Sequence, residues 1–234
     1  MQRKKLKYFI AVGLSILIFS CTPSYFIVKD FNLKTQDHKR VAVIPVEMVF
    51  TGAKPAKVTE AQIDSIEVSE SKQFQNSLFN NLLLYSNSKR GTVSVEFQSY
   101  EKTNKTLQEL GISVRDAWSK SPEMLCKVLG VDAVVKTRIV KQRYMSDLAS
   151  FGLQTAGRIL NGVVGGGMAY PLMRATNGGR TNDIDAQCTL FNKTQDEILW
   201  KDMHKGAADW NSPANQIIER ITVQFGKNFP YRKR

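Results

Sequence analysis

"SPEMLCKVLGVDAVVKTRI", residues 121–139, is the stretch that decides the fold. Ser121-Pro122-Glu123 is a helix start: a hydroxyl at the N-cap, proline at the first helical position, and a carboxylate in the first turn where the helix dipole favours it. The helix it opens stops at Gly130, where a left-handed cap costs glycine little. Residues 131–145 then read as a strand. Val131, Ala133, Val135, Thr137 and Ile139 point one way, and Lys136 and Arg138 point the other. A helix turned tightly into a strand is a building unit of layered α/β proteins.

Working outward, "KRVAVIPVEMVF" (39–50) is β-branched and apolar enough for a buried strand, with Pro45 pushing its far end toward an edge or a bulge. Residues 51–69 carry Gly52 and Pro55 without a strong period and read as loop. From Ser71, the residues Phe74, Leu78, Leu82 and Tyr85 recur at helical spacing, with Phe79 and Leu83 beside them. "TVSVEFQS" (92–99) alternates as a half-buried strand, and Thr103–Trp118 gives one or two short helices. "IDAQCTLFN" (184–192) and "EILWKDMH" (197–204) form a hairpin around residues 193–196, with Ile198 and Trp200 alternating onto one face. Asn211-Ser212-Pro213 caps a last helix whose inner face is Ile217, Ile218, Ile221 and Phe225. The expected architecture is α/β: a mixed β-sheet of about five strands covered by helices, with a glycine-rich apolar insertion (146–180) before the final hairpin. No glycine fingerprint follows the first strand, so the alternation does not specify a dinucleotide fold.

The chain begins with Arg3, Lys4, Lys5 and Lys7 and then runs apolar from Tyr8 to Phe19. This is a positive n-region and a hydrophobic h-region, shorter than the roughly 20 apolar residues that span a bilayer. Ile18-Phe19-Ser20-Cys21 resembles the lipobox of bacterial lipoproteins, which implies cleavage after residue 20 and acylation of Cys21. Residues 1–20 are then a signal peptide, 21–38 a tether, and 39–234 one α/β domain. The acyl chains supply the membrane partner, since each buried methylene contributes about 0.8 kcal/mol. No acidic residue follows Cys21 closely, so the resemblance implies the periplasmic face of the outer membrane rather than the inner membrane.

The full chain carries a formal charge of +12; removing four basic residues and no acidic ones with the signal leaves 12 − 4 = +8. An exported protein does not meet nucleic acid, so this excess reads as solubility with attraction to anionic lipid or an acidic partner, or as an ordinary solvated face. Cys126 and Cys188 sit at core positions and read as buried free thiols. Two cysteines without a histidine-rich neighbourhood make a poor zinc site. His38 falls in the tether. His204 with Asp202 or Asp209 outlines a partial dyad that no nucleophile motif accompanies. Asp183 and Asp185 lack the loop spacing of a calcium site, and Glu67 and Glu70 read as solvated. The expectation is a protein without catalytic residues, metal or cofactor.

Three pieces together carry a family resemblance: "KRVAVIPVE", "SPEMLCKVLGVDAVVKTRI" and "CTLFNKTQDEILWKD". They resemble a superfamily of bacterial envelope lipoproteins that includes the curli secretion channel lipoprotein, ABC-transport auxiliary lipoproteins, lipoprotein activators of penicillin-binding proteins and the N-terminal domain of the Tol–Pal translocation protein. The resemblance implies a tight helix-to-strand turn at Leu129-Gly130-Val131-Asp132-Ala133 and a Trp200 that packs the hairpin on the sheet. Gln195-Asp196 replaces the usual turn glycine. Residues 146–180 show no alternation long enough for spanning strands, which need about 9–11 residues each.

"FGLQTAGRILNGVVGGGMAYPLMRATNGG" (151–179) is not explained by the scaffold. Small residues permit close backbone approach, while Phe151, Leu153, Ile159, Val163, Met168, Tyr170 and Met173 make the segment too apolar for a plain linker. Three readings stay open: a helical hairpin packed on its own domain or another subunit, a peripheral membrane contact flanked by Arg158 and Arg174, and an anion-cradling loop. The function expected from all this is a lipid-anchored, non-enzymatic envelope module that binds a protein partner in assembly, maintenance or transport. The alternative is a subunit of an oligomeric secretion or export apparatus.

Overall fold

The helix–strand unit at residues 121–139 organises the sheet around itself. A computed structural model describes residues 25–52, 59–87, 95–143, 180–194, 196–209 and 214–231. The strands are β1 (Tyr25–Ile27), β2 (Arg40–Val43), β3 (Glu47–Gly52), β4 (Glu96–Gln98), β5 (Ala133–Arg143), β6 (Arg180–Asn192) and β7 (Ile198–Asp209). The helices are α1 (Phe31–Lys34), α2 (Glu60–Asn87), α3 (Tyr100–Glu109), α4 (Val114–Ser119), α5 (Pro122–Leu129) and α6 (Ala214–Asn228). The strand order is β1-β7-β6-β5-β2-β4, with β3 continuing along β5 beyond β2. β2, β3 and β4 run in the parallel part, while β5, β6, β7 and β1 pair antiparallel, so the sheet is mixed. The seven strands exceed the five expected because Pro45 splits the first strand in two and β1 arises from the tether.

The ends of α5 form as their chemistry dictates. Ser121 accepts from the Met124 N–H at 3.2 Å, Pro122 occupies the first turn, and Gly130 closes the helix at φ 65° with its N–H on the Cys126 carbonyl. Asp132 then accepts from the Lys39 and Arg40 N–H groups at 2.8 and 3.1 Å, which fixes the start of β2 against β5.

Helices cover both faces unequally. α2 and α6 lie on the face that carries Val41, Val43, Val135, Ile139, Cys188 and Leu190. Gly226 is required where they meet: a Cβ there would stand 2.7 Å from Tyr85 Cδ2 and 2.9 Å from the Asn81 carbonyl oxygen. The other face is covered only over Ala42, Ile44 and Val134, by Leu107, Ala117, Leu125, Cys126 and Leu129 of α3, α4 and α5. Over β7 that second face carries no helix among the described residues, and on β6 it is covered at Phe191, which packs against the α3–α5 cluster, and at the buried Thr189 beside Trp118 of α4. Cys126 and Cys188 are free thiols in different core clusters, and burial pushes each up to about 12.

Four local departures from the sequence reading have physical causes. α2 starts eleven residues before Ser71, because Thr59 and Gln62 exchange hydrogen bonds as a reciprocal cap (Thr59 N–H to Oε1 2.9 Å, Gln62 N–H to Oγ1 3.3 Å). Glu67 in that first half is buried, paired with Arg115 and accepting from the Phe50 N–H. In the hairpin, Leu190 pairs with Trp200 and Phe191 with Ile198, so Leu199 is an extra residue. That bulge puts both Leu199 and Trp200 in the core and leaves Ile198 40% exposed, which cancels the expected alternation.

The fourth departure is the tether expected over residues 21–38. Its described part is docked: Tyr25, Phe26 and Ile27 pair with Asp202, Lys201 and Trp200, and the Val28 N–H bonds the Leu199 carbonyl at 2.9 Å. Phe31 stacks edge-on against Tyr231 at 5.2 Å, and the buried His38 shares a 2.5 Å hydrogen bond with the Tyr231 hydroxyl. Desolvation holds the His38 imidazole below its ordinary pKa and the Tyr231 phenol above its own.

Candidate interaction surface

The residues singled out in the sequence as functional, Cys21 and the insertion residues Phe151, Leu153, Ile159, Val163, Met168, Tyr170 and Met173, lie outside the described residues. The strands that flank the insertion are described. β5 and β6 pair directly from Ala133↔Asn192 to Arg143↔Asn182, so the insertion joins two adjacent antiparallel strands. At that end of the sheet Gly52 lies opposite Arg143 and Arg180 opposite Asp209.

The open half of the second sheet face is the most distinctive surface among the described residues. Register places Lys136 beside Thr189, Arg138 beside Gln187, Lys201 opposite Thr189, Met203 opposite Gln187 and Lys205 opposite Asp185. Where α4 overhangs β5, a cleft of about 170 Å³ is lined by Pro45, Glu47, Trp118, Lys136, Arg138, Gln187, Thr189 and Phe191. The Lys136 ammonium donates to the carbonyls of Trp118 (2.9 Å) and Lys120 (2.7 Å), which satisfies the end of α4 and holds that helix over the sheet. Burial lowers the pKa of Lys136. Arg138 reaches Glu47 at 3.4 Å, and Gln187 donates to Thr189 at 3.3 Å. The Trp118 Nε1–H is buried and has no partner among the described residues, while the Arg115 guanidinium covers its ring at 5.5 Å.

Chemically this is a site rich in hydrogen-bond donors and positive charge. Lys136 and Arg138 line it with one carboxylate, Glu47. It suits a polar or acidic protein segment better than a basic one. Of its residues only Lys136 and Arg138, alternating on one strand face, were legible in the sequence, because Trp118 and Gln187 come from separate elements.

A second polar cluster lies under α6, where the fully buried Asp202 accepts from Asn228 Nδ2 at 2.9 Å and from Gln224 Nε2 at 3.4 Å. Gln224 turns its Oε1 to His204 Nδ1 at 2.6 Å. His204 and Asp202 share one face of β7, as the partial dyad required, but Gln224 stands between them. The cluster is a polar lock that sets α6 on β7. Among the described residues no three histidine, cysteine, aspartate or glutamate side chains group to hold a metal ion, and no helix is long and apolar enough to cross a membrane.

No protein-family profile matches the chain, and no curated protein matches it by sequence. Similar solved structures include the PelC dodecamer from Paraburkholderia phytofirmans, with 9% identity over 84% of this chain and 89% of that one, at a TM-score of 0.41. The lipoprotein GNA1162 from Neisseria meningitidis has 11% identity over 81% and 99%, at 0.38. The LpoB C-terminal domain from Salmonella enterica has 13% identity over 77% and 99%, at 0.33.

Proposed function

We propose that this chain is a lipid-anchored protein of the bacterial envelope that acts without catalysis, by binding a protein partner. The anchor is the acyl group on Cys21, and the mature domain faces the periplasm from the outer membrane. The observation that carries the partner-binding reading is the donor-rich cleft between α4 and the open sheet face. Its buried Trp118 N–H, unpartnered among the described residues, and its basic rim match an acidic or carbonyl-presenting protein segment. The lipobox residues Ile18-Phe19-Ser20-Cys21 support the anchor.

Two measurements test the reading. Metabolic palmitate labelling should mark the protein and be lost in Cys21→Ala; continued labelling of that variant overturns the anchor. A photo-crosslinking residue at Gln187 should trap a protein adduct in intact cells. Charge reversal at Arg138 (Arg138→Glu) should abolish that adduct. An adduct that survives the reversal removes the cleft from the interface, and an adduct of the protein with itself assigns the cleft to self-association.

A further inference from the structure

We infer that the β1–β7 edge of the sheet rests on the bilayer surface, with anionic phospholipid headgroups as its ligand; this inference rests on the acylation of Cys21 proposed above. The argument begins with chain length. The first described strand starts at Tyr25, which is paired with Asp202. Only residues 22–24 separate Tyr25 from Cys21, and four extended Cα steps span at most about 14 Å whatever conformation they take. An acyl chain on Cys21 must reach the hydrocarbon, so its Cα lies at headgroup level. The sheet edge is then confined to within that distance of the bilayer, and the domain cannot reach far into the periplasm.

The surface found at that edge is suited to such contact. Tyr25 is 42% exposed, Phe26 51%, and Met203, on the neighbouring strand, 42%. Phe26 shares its sheet face with Lys201, its register partner, and Lys205 follows two positions beyond Met203 on the same face. Lys29 follows β1 and is exposed. Aromatic side chains with one apolar body favour the membrane–water interface, and lysines beside them attract anionic headgroups. Asp30 and Asp185 oppose this field, but they are outnumbered by the three lysines. The depth is bounded as well: β1 is an edge strand, and its outer N–H and C=O groups would go unsatisfied in hydrocarbon. The edge therefore sits among headgroups and water. With β1 toward the membrane, the β4 and α3 side at the far edge of the sheet points into the periplasm.

The test uses the acylated mature protein reconstituted into phosphatidylcholine vesicles with and without phosphatidylglycerol. Phe26→Cys, Tyr25→Cys and, at the far side, Leu110→Cys each receive an environment-sensitive fluorophore. The native Cys126 and Cys188 thiols are buried and stay unlabelled. Headgroup spin-labelled lipid should quench the fluorophore at residues 25 and 26 and leave the one at residue 110 bright. Lys201→Glu with Lys205→Glu should reduce the quenching in vesicles containing phosphatidylglycerol. Equal quenching at residues 26 and 110 overturns the inference. So does a blue-shifted but unquenched label at residue 26, which would mean that protein covers the strip. Mass spectrometry of the N-terminal peptide separates the two levels. An unacylated Cys21 removes the anchor and the inference with it, whereas an acylated Cys21 with an unquenched residue 26 removes the inference alone.

Discussion

Replacing Trp200 by alanine should destabilise the domain by about 3–4 kcal/mol. The indole is fully buried, stands edge-on to Phe229 at 5.3 Å and 86°, and sits opposite Ile27 of the first strand. Truncating a buried aromatic costs about 3–5 kcal/mol through lost transfer free energy and the cavity left behind. One contribution runs the other way. The Trp200 Nε1–H is buried without a partner among the described residues, and removing an unsatisfied donor returns about 1 kcal/mol, which places the expectation in the lower half of that range. Trp200→Phe separates the two effects, since it keeps a ring against Phe229 and removes the N–H, and its cost should stay below about 1.5 kcal/mol. Urea unfolding followed by far-ultraviolet circular dichroism measures both, with ΔΔG taken from the midpoint shift at constant slope. A Trp200→Ala cost under 1 kcal/mol, or a phenylalanine variant as damaging as alanine, would refute the packing argument.

Burial alone would raise the Asp132 carboxyl, but hydrogen bonds from Lys193 and the Lys39 and Arg40 N–H groups outweigh it and hold the group at about 2. Its stabilisation is therefore complete at neutral pH and is lost as pH falls from about 4 toward 2. Discounted for its partial exposure, Asp132→Asn should cost about 1–2 kcal/mol at pH 7, with the gap from the parent closing in melts below about pH 3. Cys126 and Cys188, with thiols pushed up to about 12, should resist a thiol reagent in the native protein and react once urea unfolds it; prompt native labelling would contradict their burial. Replacing residues 146–179 by Asn-Gly continues the β5–β6 register across a two-residue turn and should leave cooperative melting intact, while unfolding of this variant would make the insertion part of the core.

What could be read from the sequence was written in neighbouring residues. Ser121, Pro122 and Gly130 each declare a helix end by their own chemistry, and β5 and β6 announce themselves by long alternation. The first half of α2 escaped notice because residues 60–70 carry no apolar stripe. Thr59 with Gln62 was the available signal, and it lies in a stretch that glycine and proline made look like loop. β1 is three residues long and gains its stability from Trp200 and Asp202 far along the chain, so no local pattern could reveal it. The bulge at Leu199 is a one-residue change that exchanges sheet faces, and periodicity has no means of anticipating it. The cleft depends on Lys136 reaching the end of α4, a juxtaposition created by the tertiary fold.

The pairing of β1 with β7 has a consequence for biogenesis. A polypeptide is made from its N-terminus, so Tyr25–Ile27 exist well before their partners Trp200–Asp202. His38 likewise waits for Tyr231. Contacts this distant in sequence close late. The β1–β7 edge thus closes only after every other described strand has been made.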